Sequence, residues 1–322
     1  MIDVRGGEGD ATAEAGGDDA LPVRARPVRA ELWALSKPGI VRMCLVTTAG
    51  GLWLAASQLP EGAGSVGWGT VVSTLIGSAL AVASANAFNM IWERETDALM
   101  ERTRHRPLAA GRLPVRTAKI FAVVAGAVSL LVLALGVNLL TAGLAAFAIA
   151  SYVGVYTPLK YKTPAALIVG AVPGAIPPLL GWTAVSDGFE PPGLAIFAIL
   201  LVWQIPHFIA ISLFRAAEYE KAGIQVLPLV RGPLQAKLHA AAWSVGLIPI
   251  SMSLTPLHLT GTVYFVVALG LGVAYFAYSL LGFLPSSGDR WAKRYFFASL
   301  IYLPALTLGL IVDLSLKGMG LP

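Results

Sequence analysis

Asn89, Glu93, Asp97 and Glu101 recur at four-residue steps. An α-helix turns about 100° per residue, so such neighbours are offset by only about 40° and share one face. An amide oxygen and carboxylates on one face are hard donors of the kind Mg²⁺ takes, usually completed by substrate phosphates and water. Arg102 and Arg106 repeat the step just beyond. Their guanidinium forks match phosphate oxygens bidentately. The chemistry this pattern suggests is a metal-bridged diphosphate. The plain alternative is a solvated charge run whose acids pair with its own arginines. Two features weigh against it: the phase is unbroken, and an amide such as Asn89 at the mouth of an apolar segment serves no solvation purpose.

A second cluster reads Trp203-Gln204-Ile205-Pro206-His207-Phe208, with Arg215, Glu218 and Tyr219 following. His207 lies inside an apolar run, where ionisable residues are rare and usually functional. A neutral imidazole bonded to a neighbouring helix is the other reading. Between the clusters, Tyr156 and Lys160 sit in Tyr152–Pro164. Lys160 is placed to reach the same phosphates, or it only marks a membrane border. The run Gly170 to Trp182 combines small residues, which permit close helix contact, with Pro173, Pro177 and Pro178, which bend a helix and leave room for a ligand.

The elements that position these residues follow from composition. The 322 residues are 56% apolar and only 13% charged, where a soluble domain carries about 25% charge. Mean hydropathy is +0.72. A soluble fold, a disordered chain and a coiled coil are excluded, and a polytopic membrane protein remains. A net charge of +5 could suggest nucleic acid, but the basic residues lie in short gaps between apolar runs, so no nucleic-acid partner is expected. The single cysteine, Cys44, allows no internal disulfide.

Apolar runs long enough to cross a bilayer are predicted at 39–59, 68–92, 115–136, 138–157, 164–185, 193–214, 238–257, 261–284 and 295–315. They are continuous rather than alternating, which argues for helices over a β-barrel. The expected fold is all-α: nine transmembrane helices bundled around a central cavity. Residues 1–30 read as a disordered tail, with no apolar signal-peptide core and too many acids for a transit peptide. Residues 31–322 read as one transmembrane domain. All but Lys317 of the 23 Lys and Arg fall in the tail or in alternate loops. By the positive-inside rule the N-terminus and both polar clusters are cytoplasmic.

These motifs resemble the UbiA superfamily of intramembrane prenyltransferases. The likeness runs from about residue 32 through nearly the whole chain. The superfamily's first motif, Asn-x₃-Asp-x₃-Asp, stands here as Asn89-x₃-Glu93-x₃-Asp97, with Glu in place of the first Asp. The stretch Met100 to Leu108 carries His105 where Asn is usual. The Trp203 to Phe208 run, followed by Tyr219, Gly223 and Val226-Leu227-Pro228, resembles the haem-prenylating branch. The second Asp-x₃-Asp pair of benzoate and quinone prenylators is broken: Glu218 is followed four residues later by Ala222.

The resemblance implies transfer of a farnesyl group from farnesyl diphosphate to the 2-vinyl group of haem b in a bacterial inner membrane. Mg²⁺ would be held by Asn89, Glu93 and Asp97. Catalysis would fall to these three with Arg102, Arg106 and Lys160. Substrate contacts would come from Asn86, Arg94, Tyr156, Trp203, His207, Arg215, Glu218 and Tyr219. Haem A synthase or a terminal oxidase assembly is the expected consumer of the product. A quinone-precursor or other tetrapyrrole prenyltransferase is the alternative. A transporter fits less well, because transporters place ionisable groups near mid-membrane.

Overall fold

The computed structural model describes residues 27–318. Residues 1–26 of the expected tail lie outside the described residues, and its last three already belong to α1 (Val28–Leu35). Within a bilayer every backbone N–H and C=O must be satisfied internally, and an apolar run does so as a helix. The order is α1, α2 (Pro38–Ala56), α3 (Trp68–Ala98), α4 (Val115–Gly136), α5 (Leu139–Ala150), α6 (Thr157–Leu159), α7 (Ala166–Ser186), α8 (Pro191–Phe214), α9 (Ala216–Lys221), α10 (Leu227–Val230), α11 (Gly232–Met252), α12 (Thr262–Leu280) and α13 (Asp289–Gly318). A π-helical turn at Ser151–Tyr156 joins α5 to α6. No strand occurs among the described residues.

Among the described residues, eight helices are long and apolar enough to cross a membrane. The run expected at 238–257 falls on α11, which begins six residues earlier, with Pro233 in its first turn. Gln235, Lys237 and His239 dilute its apolar character, and it is not among the eight. The second expected span also differs: α3 continues to Ala98, six residues past its expected end. At 1.5 Å per residue its 31 residues span about 46 Å, so Glu93 and Asp97 ride on the rigid end of a helix rather than on a loop.

The helices pack as neighbours around the bundle: α4 on α3, α3 on α2, α2 on α7, α7 on α8, and α8 on α11 and α13. The α2–α7 crossing is backbone to backbone. A Cβ on Gly51 would lie 2.0 Å from the Pro178 carbonyl oxygen, and one on Gly181 would lie 2.0 Å from that of Thr48. Helix α13 is pinned to α11 by hydroxyl pairs one heptad apart, Ser244 to Tyr295 at 2.5 Å and Ser251 to Tyr302 at 2.8 Å. Buried Asp313 of α13 also accepts from the backbone N–H groups of Gly261 (2.6 Å) and Tyr264 (3.0 Å). It thereby caps the N-terminus of α12, where four N–H groups lack intrahelical partners.

Candidate active site

The four-residue phase turns Asn89, Glu93 and Asp97 to one side of α3. All three are buried and line a cavity of about 220 Å³. Lys37, Arg102, Arg106, Tyr152, Tyr156, Lys160, Phe208 and Tyr219 share its wall. Met100 packs with Ala222 and Ile224, and the Gln225 N–H donates to the Lys160 carbonyl at 2.8 Å. The loops after α3, α6 and α9 thus close on one another over the cavity.

The acids are held by cations from different elements. Arg106 Nη1 lies 2.7 and 2.6 Å from the two Asp97 oxygens and 3.5 Å from Glu93 Oε2. Lys160 donates to Glu93 Oε1. The Asn89 amide donates to Glu93 and, at 3.3 Å, to Thr157 Oγ1. Its Oδ1 accepts from Lys37 Nζ at 2.9 Å. Arg102 joins none of the ion pairs among the described residues. Burial, reinforced by the Arg106 charge, draws the Lys37 ammonium down from 10.5 to about 7. Burial and the Lys37 charge draw Lys160 down to about 7 as well.

Lys37 stands outside the four-residue phase of the acids. Its backbone is left-handed, φ 53°, immediately before Pro38. That region is uncommon for a residue with a side chain, and proline disfavours the helical alternative. The surroundings enforce it. Buried Glu31 of α1 accepts from Arg112 at 2.8 Å, and Asn86 donates to the Ser36 carbonyl at 3.0 Å. The signal in the sequence was a lysine wedged directly before a proline.

Other expected residues sit elsewhere. Asn86 supports the turn before α2 rather than the cavity wall. Arg94 is exposed and pairs with Glu95 at 2.9 Å; one residue beyond Glu93, it is rotated about 100° off the active face. Arg215 pairs with Glu218 at 2.6 Å, and neither lines the cavity. His207 is not part of the wall either. Its Nδ1 meets Ser299 Oγ at 2.7 Å, and its ring packs between Trp203 (4.7 Å between centroids) and Phe296 (4.9 Å). Trp203 itself donates to the Ser299 carbonyl at 2.9 Å.

Hard oxygens from Asn89, Glu93 and Asp97 suit Mg²⁺, which takes one or two carboxylates and completes its shell with phosphate oxygens. Among the described residues no group of three or more His, Cys, Asp or Glu is gathered for a metal. The donor set therefore fits a metal that arrives with a phosphate-bearing ligand, not one caged by protein alone.

Acids and cations are thus gathered at one cavity of an all-helical bundle. The chain belongs to the UbiA prenyltransferase family, whose model matches residues 44–301. It is 44% identical over 286 residues to the protoheme IX farnesyltransferase of Myxococcus xanthus (strain DK1622), covering 89% of this chain and 95% of that protein. It is 46% identical over 278 residues to the enzyme of the same name from Sorangium cellulosum (strain So ce56), covering 84% and 99%. Among solved structures, a digeranylgeranylglyceryl phosphate synthase shares the fold at TM-score 0.72 and 18% identity, covering 88% of this chain and 98% of that one. A UbiA homologue from Archaeoglobus fulgidus, bound to DMAPP and Mg²⁺, does so at TM-score 0.61 and 17% identity, covering 88% and 99%.

Proposed function

We propose that this chain transfers the farnesyl group of farnesyl diphosphate to the 2-vinyl group of haem b, giving haem O and diphosphate. The observation that carries the reading is the cavity in which Asn89, Glu93 and Asp97 face Lys37, Arg102, Arg106 and Lys160. Support for haem as the acceptor comes from the relatives named protoheme IX farnesyltransferase. The broken second acid pair also favours it over a quinone precursor.

The diphosphate lies among the four cations. Asn89, Glu93 and Asp97 would hold Mg²⁺, which would supply Lewis-acid neutralisation of the leaving group; the A. fulgidus homologue, bound to DMAPP and Mg²⁺, supports this assignment. Ionisation breaks the bond between farnesyl C1 and the diphosphate oxygen. Arg102, Arg106 and the two lysines stabilise the charge that grows on that oxygen. The allylic cation left behind faces the rings of Tyr152 and Tyr156, whose centroids are 5.2 Å apart, and aromatic faces attract cations. Leu167, Phe208 and Leu227 keep bulk water off the cation. The terminal vinyl carbon forms the new C–C bond. Water then adds to the adjacent carbon and loses a proton, leaving the hydroxyethylfarnesyl chain.

The active site opens on the cytoplasmic side of a bacterial inner membrane, in keeping with the distribution of Lys and Arg. The test is purified full-length protein in lipid nanodiscs with Mg²⁺, farnesyl diphosphate and haem b. Diphosphate release matched by haem O is the expected result. Turnover with a benzoate or quinone precursor and none with haem b would overturn the choice of acceptor.

A further inference from the structure

Residue 222, where a second acid pair would put its last carboxylate, is Ala222. It is 4% exposed and packed with Met100 and Ile224. Its expected companion Glu218 is tied to Arg215 and absent from the cavity wall. The side of the cavity opposite α3 therefore presents no carboxylate. What the wall does hold is an excess of basic side chains: two lysines and two arginines against two carboxylates. Arg106 is committed to Asp97 and Glu93, and Lys160 to Glu93, but among the described residues Lys37 meets only the neutral amide of Asn89. Backbone geometry holds the Lys37 ammonium there, because α1 is anchored by Arg112 on one side and Pro38 starts α2 on the other.

We propose that Lys37, with Lys160, does at the diphosphate what a second divalent ion would do, so that this chain handles its substrate with a single metal. This rests on the prenyl-diphosphate reading above. One dication and a diphosphate bring the cavity close to neutral, whereas two dications would leave it strongly positive with no further acid to hold them. A lysine is a compact point charge with three rotatable donors, suited to bridging phosphate oxygens. On substrate arrival its Nζ moves from Asn89 to the diphosphate and frees the amide oxygen for the metal.

The experiment uses the full chain in nanodiscs, with Mn²⁺ as the metal and farnesyl S-thiolodiphosphate as the unreactive ligand. Spin-resonance titration counts bound Mn²⁺, and calorimetry gives ligand affinity with and without a chelator. The wild type should bind one Mn²⁺ per chain and retain weak, salt-sensitive ligand binding without metal. Lys37→Met should lower ligand affinity at least about tenfold, abolish the metal-free binding and leave the stoichiometry at one. Lys37→Arg should restore most of the affinity. A lysine that only steadies Asn89 would affect metal affinity and leave metal-free ligand binding unchanged. Two Mn²⁺ per chain alongside tight ligand binding would overturn the single-metal inference alone, and that arm needs no variant. Failure of the wild type to bind the ligand with any metal would overturn the prenyl-diphosphate reading, and this inference with it.

Discussion

Asp97 is 1% exposed and accepts both of its short contacts from one guanidinium nitrogen of Arg106. Asp97→Asn keeps the shape and removes the anionic oxygen a metal needs. It should cut diphosphate release at least about 100-fold while membrane insertion and the unfolding midpoint stay near wild type; full turnover at saturating Mg²⁺ would remove Asp97 from the metal site. The lowered lysines give a pH signature. At pH 8 the free protein holds Lys37 and Lys160 largely neutral, since both sit at about 7. A bound diphosphate favours the ammonium forms, so binding should take up about one to two protons at pH 8 and few at pH 6, and affinity should fall as pH rises above 7. Calorimetry in buffers of different ionisation enthalpy reads this directly. His207→Ala should lower thermal stability and weaken farnesyl and haem ligands alike, because the imidazole sits in an aromatic stack tied to Ser299. A selective loss of haem binding would instead return His207 to the acceptor. The cavity-lining acids were legible in sequence because helical phase is a one-dimensional property. Lys37 was not, because its role depends on a left-handed turn that places it against a residue 52 positions away.

Helix α2 approaches α7 so closely that glycine is required at both crossing points. Gly51→Ala should drive its methyl group into the Pro178 carbonyl and force the helices apart. A loss of about 1–3 kcal/mol is expected, seen as a lower unfolding midpoint in detergent. Gly50→Ala, one residue away with nothing within 4 Å of its Cβ, is the control. The apolar runs announced most of the helices, and the expected span that is not among the eight has polar residues at its start. Helix α11 shows why: its first turns carry Gln235, Lys237 and His239, and contacts with α8 and α12 secure it as well as apolarity does. The end of α3 was also hidden. Charged residues end the apolar run at residue 92, yet cations from other elements neutralise the acids on their inner face and the helix runs on to Ala98.

Across the whole molecule, the bias of Lys and Arg predicts an orientation for the bundle, and α3 provides the ruler for testing it. Ser65 and Ala110 are exposed just beyond opposite ends of that helix. Cysteine at Ser65 should react with an impermeant maleimide in intact cells, and cysteine at Ala110 only after lysis; the reverse pattern would invert the protein and put its active site outside. Bundle and polar cavity were both readable from a single sequence. Which helix end leans on which was not, since that is settled by contacts between distant segments. The Asp313 cap on α12 is such a case, and it bears on biogenesis. Until the last helix has been synthesised and inserted, the leading amides of α12 lack the Asp313 carboxylate. A ribosome that stops before residue 313 therefore leaves a chain holding every polar residue of the cavity but marked by an uncapped α12. Such nascent products should be cleared by membrane proteolysis, so that incomplete copies with an assembled diphosphate pocket do not accumulate.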